Sequence, residues 1–177
     1  MGVKFAIFLL SFLSVQSIAK ETSVDLRILM KMVGNTCAVN ISDNLSVSLG
    51  SWSAEQLISG SAEKKIIPIT IDCSSSETAF GSISMRVEGD SLTVPGHNGY
   101  LKLKHHKTES TTAARLTWSY NLSEEVTINE PTDLSSFLDG NKKYDASIVA
   151  QMVLPPGEDT AEPGSYSGTM TIKLTYN

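Results

Sequence analysis

Cys37 and Cys73 are the residues best equipped for covalent chemistry in this 177-residue chain, and His97, His105 and His106 are its only imidazoles. A catalytic or metal-binding reading would have to start from these five. His105 and His106 are adjacent in the run LKLKHHK, and neighbouring residues on a strand point to opposite faces, so the two cannot close on one ion. They read instead as a solvated basic strand end. The sequence has no G-x-S-x-G, H-E-x-x-H or C-x-x-C motif and no Gly-rich phosphate loop. The pair Glu124-Glu125 lies beside a turn and reads as solvated. Trp118 and Tyr120, two apart in LTWSY, could stack on a sugar, but their spacing with Leu116 is that of a strand's core face. Nothing in this set supports catalysis, a cofactor or a metal.

The two cysteines point to a compartment. Lys4, the apolar stretch from Phe5 to Leu13 and the small residues of Ser17-Ile18-Ala19 have the order of a secretory signal peptide, residues 1–19. The apolar stretch is too short to span a bilayer comfortably. In an exported chain Cys37 and Cys73 are expected to form one disulfide. Closing that loop is worth about 4 kcal/mol on the chain-entropy argument. Removing the signal peptide takes away Lys4 and moves the net charge from −5 to about −6, which argues against nucleic acid or anionic lipid as a partner.

The elements that must carry these residues are short, alternating and β-rich. Val24, Leu26, Ile28, Met30 and Met32 alternate in VDLRILMKM, and Ile67, Ile69, Ile71 and Cys73 share a face in KIIPITIDC. Further runs follow at SISMRVEG, YLKLK, ARLTWSYNL, VTI and DASIVAQMVLP. Only SAEQLIS reads as helical, with Ser53 and Gln56 spaced as a capping box. LPPGEDTAEPG is an acidic, Pro-rich surface loop. After it, PGSYSGTMTIKLTYN alternates to its penultimate residue, with Tyr166, Gly168, Met170, Ile172, Leu174 and Tyr176 on one side. Many short strands punctuated by Gly, Asn, Asp and Pro define an all-β sandwich.

Three stretches in order, CAVNISDNLSVSLG, IPITIDC and PGSYSGTMTIKLTYN, resemble the first-cysteine, second-cysteine and closing strands of pilus subunits of the chaperone–usher pathway, of the type 1 and P pilus kind. The resemblance covers essentially the whole mature chain. It implies an immunoglobulin-like sandwich of six strands that lacks the seventh, with a signal peptide at 1–19, a donor-strand extension at 20–36 and a pilin domain at 37–177. The last strand would then border a hydrophobic groove that a partner must fill, because an open apolar sheet edge invites aggregation.

On this resemblance a periplasmic chaperone first supplies the missing strand, contacting Tyr166, Gly168, Met170, Ile172, Leu174, Tyr176 and the terminal Asn177. An outer-membrane usher then passes the subunit to the fibre. There the neighbouring subunit's extension takes over, and Val24, Leu26, Ile28, Met30 and Met32 of this chain are donated in turn. The implied product is a minor structural subunit of a surface pilus that contributes to cell adhesion, the whole fibre meeting a host receptor. One residue departs from the pattern: family donor segments carry a glycine where this chain has Met30, and overpacking a site shaped for glycine costs about 1–3 kcal/mol. The competing reading is a self-contained secreted carbohydrate-binding β-sandwich using Trp118 and Tyr120.

Overall fold

The computed structural model describes residues 22–33, 37–41, 45–75, 82–137 and 142–176. The expected signal peptide and Asn177 lie outside the described residues. Alternation gives strands throughout: β1 (Thr22–Val33), β2 (Ala38–Asn40), β3 (Leu45–Trp52), β4 (Lys64–Ile67), β5 (Thr70–Asp72), β6 (Ile83–Gly89) and β7 (Tyr100–His105) in the first part. They continue with β8 (Thr111–Trp118), β9 (Asn121–Glu125), β10 (Pro131–Asp133), β11 (Lys143–Asp145), β12 (Ile148–Val153) and β13 (Ser165–Tyr176). The run VTI forms no strand; its Ile128 makes one isolated bridge to Val87.

The expected helical turn is α1 (Ala54–Ile58). Ser53 caps it, accepting from the Gln56 backbone N–H, while the Gln56 side chain accepts from the Ser53 N–H. This reciprocal pairing satisfies two donors that a helix start otherwise leaves open. Leu57 anchors the turn in the core.

The large sheet runs β10-β6-β13-β7-β8-β12-β4, and β1 joins it by pairing with both β13 and β3. A smaller sheet, β11-β5-β2, carries the cysteines at its margin, and Cys37 and Cys73 form the expected disulfide. Pro68 interrupts the isoleucine run between β4 and β5, as a residue without a backbone N–H must. Ile67, Ile69 and Ile71 nevertheless stay fully buried. The fold is thus the incomplete sandwich expected from the sequence, closed into a nearly continuous sheet by its own first strand.

β13 is the spine of this arrangement. Its second half, Met170 to Tyr176, pairs antiparallel with β6, and its start, Tyr166 and Ser167, pairs with β7. The change of partner occurs where β6 ends at Gly89, whose Cβ, if present, would lie 2.4 Å from Leu101 Cδ1. The opposite edge of β13 pairs with β1 from Ser165 to Thr175.

Candidate functional site

β1 occupies a strand-shaped slot between β13 and β3. It runs parallel to β13 through eleven paired positions, from Ser23 opposite Ser165 to Val33 opposite Thr175. It runs antiparallel to β3 from Thr22 opposite Trp52 to Ile28 opposite Leu45. The β3 ladder slips between Val24 and Asp25, where Gly50 adopts a φ of +91° and leaves Leu49 as the extra residue. A left-handed φ at a β-bulge favours glycine. A side chain there would also meet the Trp52 ring at about 3.1 Å.

The period of two along β1 places alternate residues in the core. Val24, Leu26 and Ile28 are 0–1% exposed, and Met30 is half-buried and packs against the same cluster. Met32 is placed by register, opposite Leu174. From β13, Tyr166, Met170, Ile172 and Leu174 are buried, while Gly168 and Tyr176 are half-buried. Gly168 has no room for more: a Cβ would stand 2.6 Å from Leu103 Cδ2. The register sets Leu26 beside Gly168, Ile28 beside Met170 and Met30 beside Ile172. In the single chain, then, the residues expected to serve a neighbour fill their own domain's gap.

The slot works with two kinds of interaction. Backbone N–H and C=O groups along the ladder hold the strand's position, and apolar side chains supply most of the free energy, about 1.5–3 kcal/mol for each one fully buried. One polar side-chain contact across the β1–β13 seam is Ser23 Oγ to Ser165 Oγ at 3.0 Å. Neither interaction depends on a unique side chain, so any strand with the right alternation and length meets the same demand. Without β1, facing edges of β13 and β3 would lose their partner together.

A second constellation is polar. Glu125, at the end of β9, is 12% exposed, not solvated as its place beside a turn suggested. One carboxylate oxygen accepts from Arg115 Nε at 3.0 Å and lies 2.8 Å from His97 Nδ1; the other accepts from the Asn98 and Gly99 backbone N–H groups. Burial pushes the Glu125 carboxyl up, but the hydrogen bonds from His97, Gly99, Arg115 and Asn98 outweigh it and hold the group below its usual range. Glu124 behaves as expected, exposed and accepting from the Tyr120 hydroxyl at 3.0 Å. With four neighbours satisfying it, Glu125 fastens the loop before β7 to β8 and β9. Sequence spacing gave no sign of this, since its partners lie 10 to 28 residues away.

The aromatic platform divides. Trp118 is 2% exposed and belongs to the core, whereas Tyr120, just beyond the end of β8, is 58% exposed. Their rings stack at 6.3 Å, with Phe137 edge-on to both. A sugar can reach one of them at most. His105 and His106 also part company, His105 ending β7 and His106 lying just beyond it. His105 Nδ1 accepts from the Thr108 backbone N–H at 3.1 Å, and His106 Nε2 lies 3.0 Å from Ser167 Oγ. Among the described residues no group of three or more His, Cys, Asp or Glu is placed to hold a metal ion. Nor, among them, is any helix long and apolar enough to cross a membrane.

Comparison with known proteins bears on the same region. The family model described as "Fimbrial protein" matches residues 23–177, which begins inside β1 and takes in β13. Among solved structures the chain is similar to the P pilus rod subunit PapA, with a TM-score of 0.56 and 19% identity over 82% of this chain and 95% of that one. At that identity the likeness speaks for the fold. A search of the curated proteins found no match.

Proposed function

Because the chain belongs to the fimbrial protein family and is a structural subunit of a pilus, we propose that it assembles by donor-strand complementation and exchange, with β1 as the strand it donates. The observation that supports this reading is the slot itself. A twelve-residue strand with an apolar inner row pairs along its length with β13 and over its first half with β3, completing a sheet that is otherwise open between them. A strand held through backbone pairing and apolar side chains is exchangeable in a way that a polar site is not.

In this reading a periplasmic chaperone occupies the slot during export, packing against Met170, Ile172, Leu174 and Tyr176, with the carboxylate of Asn177 on a basic cleft of the chaperone. The usher then exchanges that strand for a neighbour's Val24, Leu26, Ile28, Met30 and Met32, and the completed fibre contributes to adhesion at the cell surface. A carbohydrate-binding role for Trp118 and Tyr120 is disfavoured by the burial of Trp118.

The test is Ile28→Asp in cells that also make the chaperone and usher. The variant is expected to co-purify with the chaperone at wild-type yield and to be missing from surface fibres, because it can accept a strand but not donate one. Incorporation at the wild-type level would overturn the assignment.

A further inference from the structure

Among the described residues, four large apolar side chains are strongly exposed: Ile58, Ile66, Tyr120 and Leu122. One such residue alone means little, but exposed apolar groups that gather mark a binding surface. Tyr120 and Leu122 stand two residues apart where the chain turns from β8 into β9, and are 58% and 44% exposed. Ile66, 66% exposed, lines a groove of about 280 Å³ whose other apolar walls are Ile41, Leu45, Val47 and Pro68. One place is a knob and the other a hollow. We propose that the β8–β9 hairpin of one copy seats in the groove between β3 and β4 of a second copy. The inference uses the chain's membership of a pilus but neither β1 nor β13, so it stands or falls apart from the donor-strand reading.

The sheet keeps the hairpin from the groove of its own chain. β8 carries β12 on one edge, with Trp118 opposite Ile148, and β9 on the other, with Trp118 opposite Asn121. β12 in turn carries β4, with Ile148 opposite Ile67. The hairpin strand and β4 are therefore three strand spacings apart, about 14 Å across the sheet. β4 ends this path, and the groove lies beyond its far edge, where β3 supplies Leu45 and Val47. Only another molecule can bring the two surfaces together. A knob that fits a different surface of the same chain makes a head-to-tail contact, which can repeat from copy to copy instead of ending at a dimer.

Charge favours the same partner. On the hairpin, Glu125 is already satisfied by Arg115, His97 and two backbone N–H groups, whereas Glu124 is exposed. One Glu124 oxygen accepts from the Tyr120 hydroxyl at 3.0 Å and from the Asn121 side-chain amide at 3.3 Å, which holds the knob in shape. At the groove, Lys65 pairs with Glu63 at 2.7 Å, and Asp72 pairs with Lys143 at 3.0 Å. Lys64, two residues before Ile66 and so on its face of β4, is exposed and has no ionic partner among the described residues. The knob thus carries a surplus negative charge and the groove a surplus positive one. Two apolar side chains entering five make a smaller contact than the roughly 1,000 Å² of a stable interface, so free chains associate weakly. Copies linked in one fibre meet at an effective concentration of about 1 mM, at which a weak contact is populated.

The test mixes two single-cysteine forms of the mature chain at about 1 mM under mild oxidation, one with Ile66→Cys and the other with Leu122→Cys. Both positions are exposed, so each variant is expected to keep the wild-type thermal transition. Disulfide-linked pairs of unlike chains should form about tenfold or more faster than pairs of like chains, as a head-to-tail contact requires. Glu124→Lys in the Leu122→Cys chain should slow capture about fivefold, and Lys64→Glu in its partner should restore it. Both effects should fade at about 1 M salt. Like chains that cross-link as fast as unlike ones would overturn the proposal, by showing random collision or groove against groove. A charge swap that fails to restore capture would overturn it too. Neither result bears on whether Ile28→Asp enters fibres, which tests the donor-strand reading alone.

Discussion

The seam between β1 and β13 and the clamp around Glu125 hold the sandwich together by opposite means. The seam is long, regular and apolar, with side chains that serve by size and alternation. The clamp is one carboxylate held by two side chains and two backbone N–H groups at fixed distances. The first makes demands of size and alternation that another strand of the same pattern would also meet; in the second each partner is positioned for that one oxygen pair. On the donor-strand reading proposed above, a trade of strands would be confined to the first kind of contact. Here the polar fastening lies on β8, β9 and the loop before β7, away from the slot.

Breaking the seam should have the largest effect. In the isolated chain, Ile28→Asp would bury a carboxylate within an apolar row, at a cost of more than about 4 kcal/mol. The variant should lack a cooperative thermal transition, as read by circular dichroism, until a chaperone or a donor peptide fills the slot.

The clamp should respond to acid rather than to strands. The carboxyl of Glu125 is held below its usual value in the folded chain, so its contribution is fully present above the unfolded carboxylate range and is lost as pH falls through the folded value. Glu125→Gln should cost about 1–3 kcal/mol at neutral pH. Stability measured by denaturant titration should also lose part of its decline between about pH 5 and pH 3. Added donor peptide is expected to leave this loss unrepaired.

The outward row of the seam sharpens the contrast. Arg27 lies in register with Thr169 but faces solvent. Arg27→Ala should change stability by no more than about 0.5 kcal/mol and leave assembly unaltered, measured by denaturant midpoint and multimer yield. A large effect there would mean that the seam reads individual side chains, as the clamp does.

What the sequence disclosed follows the same division. Period-two alternation over a long run marks a strand with one buried face, so Val24 to Met32 and Tyr166 to Tyr176 were legible as strands, as were the isoleucine run, the Ser53 cap and the Cys37–Cys73 bridge, whereas the three-residue run VTI forms no strand. Alternation cannot say which strand fills which edge, and so the closure of the slot by the chain's own β1 was not. Nor was the bulge at Gly50, which depends on the facing strand. The burial of Glu125 was hidden for a similar reason, since a charged residue beside a turn looks solvated until Arg115, His97 and the Asn98-Gly99 backbone are brought to it. Tyr120 escaped the core because the strand ends at Trp118, two residues before it.

The most direct measurement of the central claim, that the slot can be filled from outside the chain, uses a mature chain lacking residues 22–33 and a synthetic peptide of that sequence. Refolded alone, the truncated chain is expected to show no cooperative unfolding transition. Refolded with the peptide, it should bind one peptide per chain and regain a transition, and an Ile28→Asp peptide should fail to restore it. A truncated chain that folds cooperatively without the peptide and does not bind it would contradict the account.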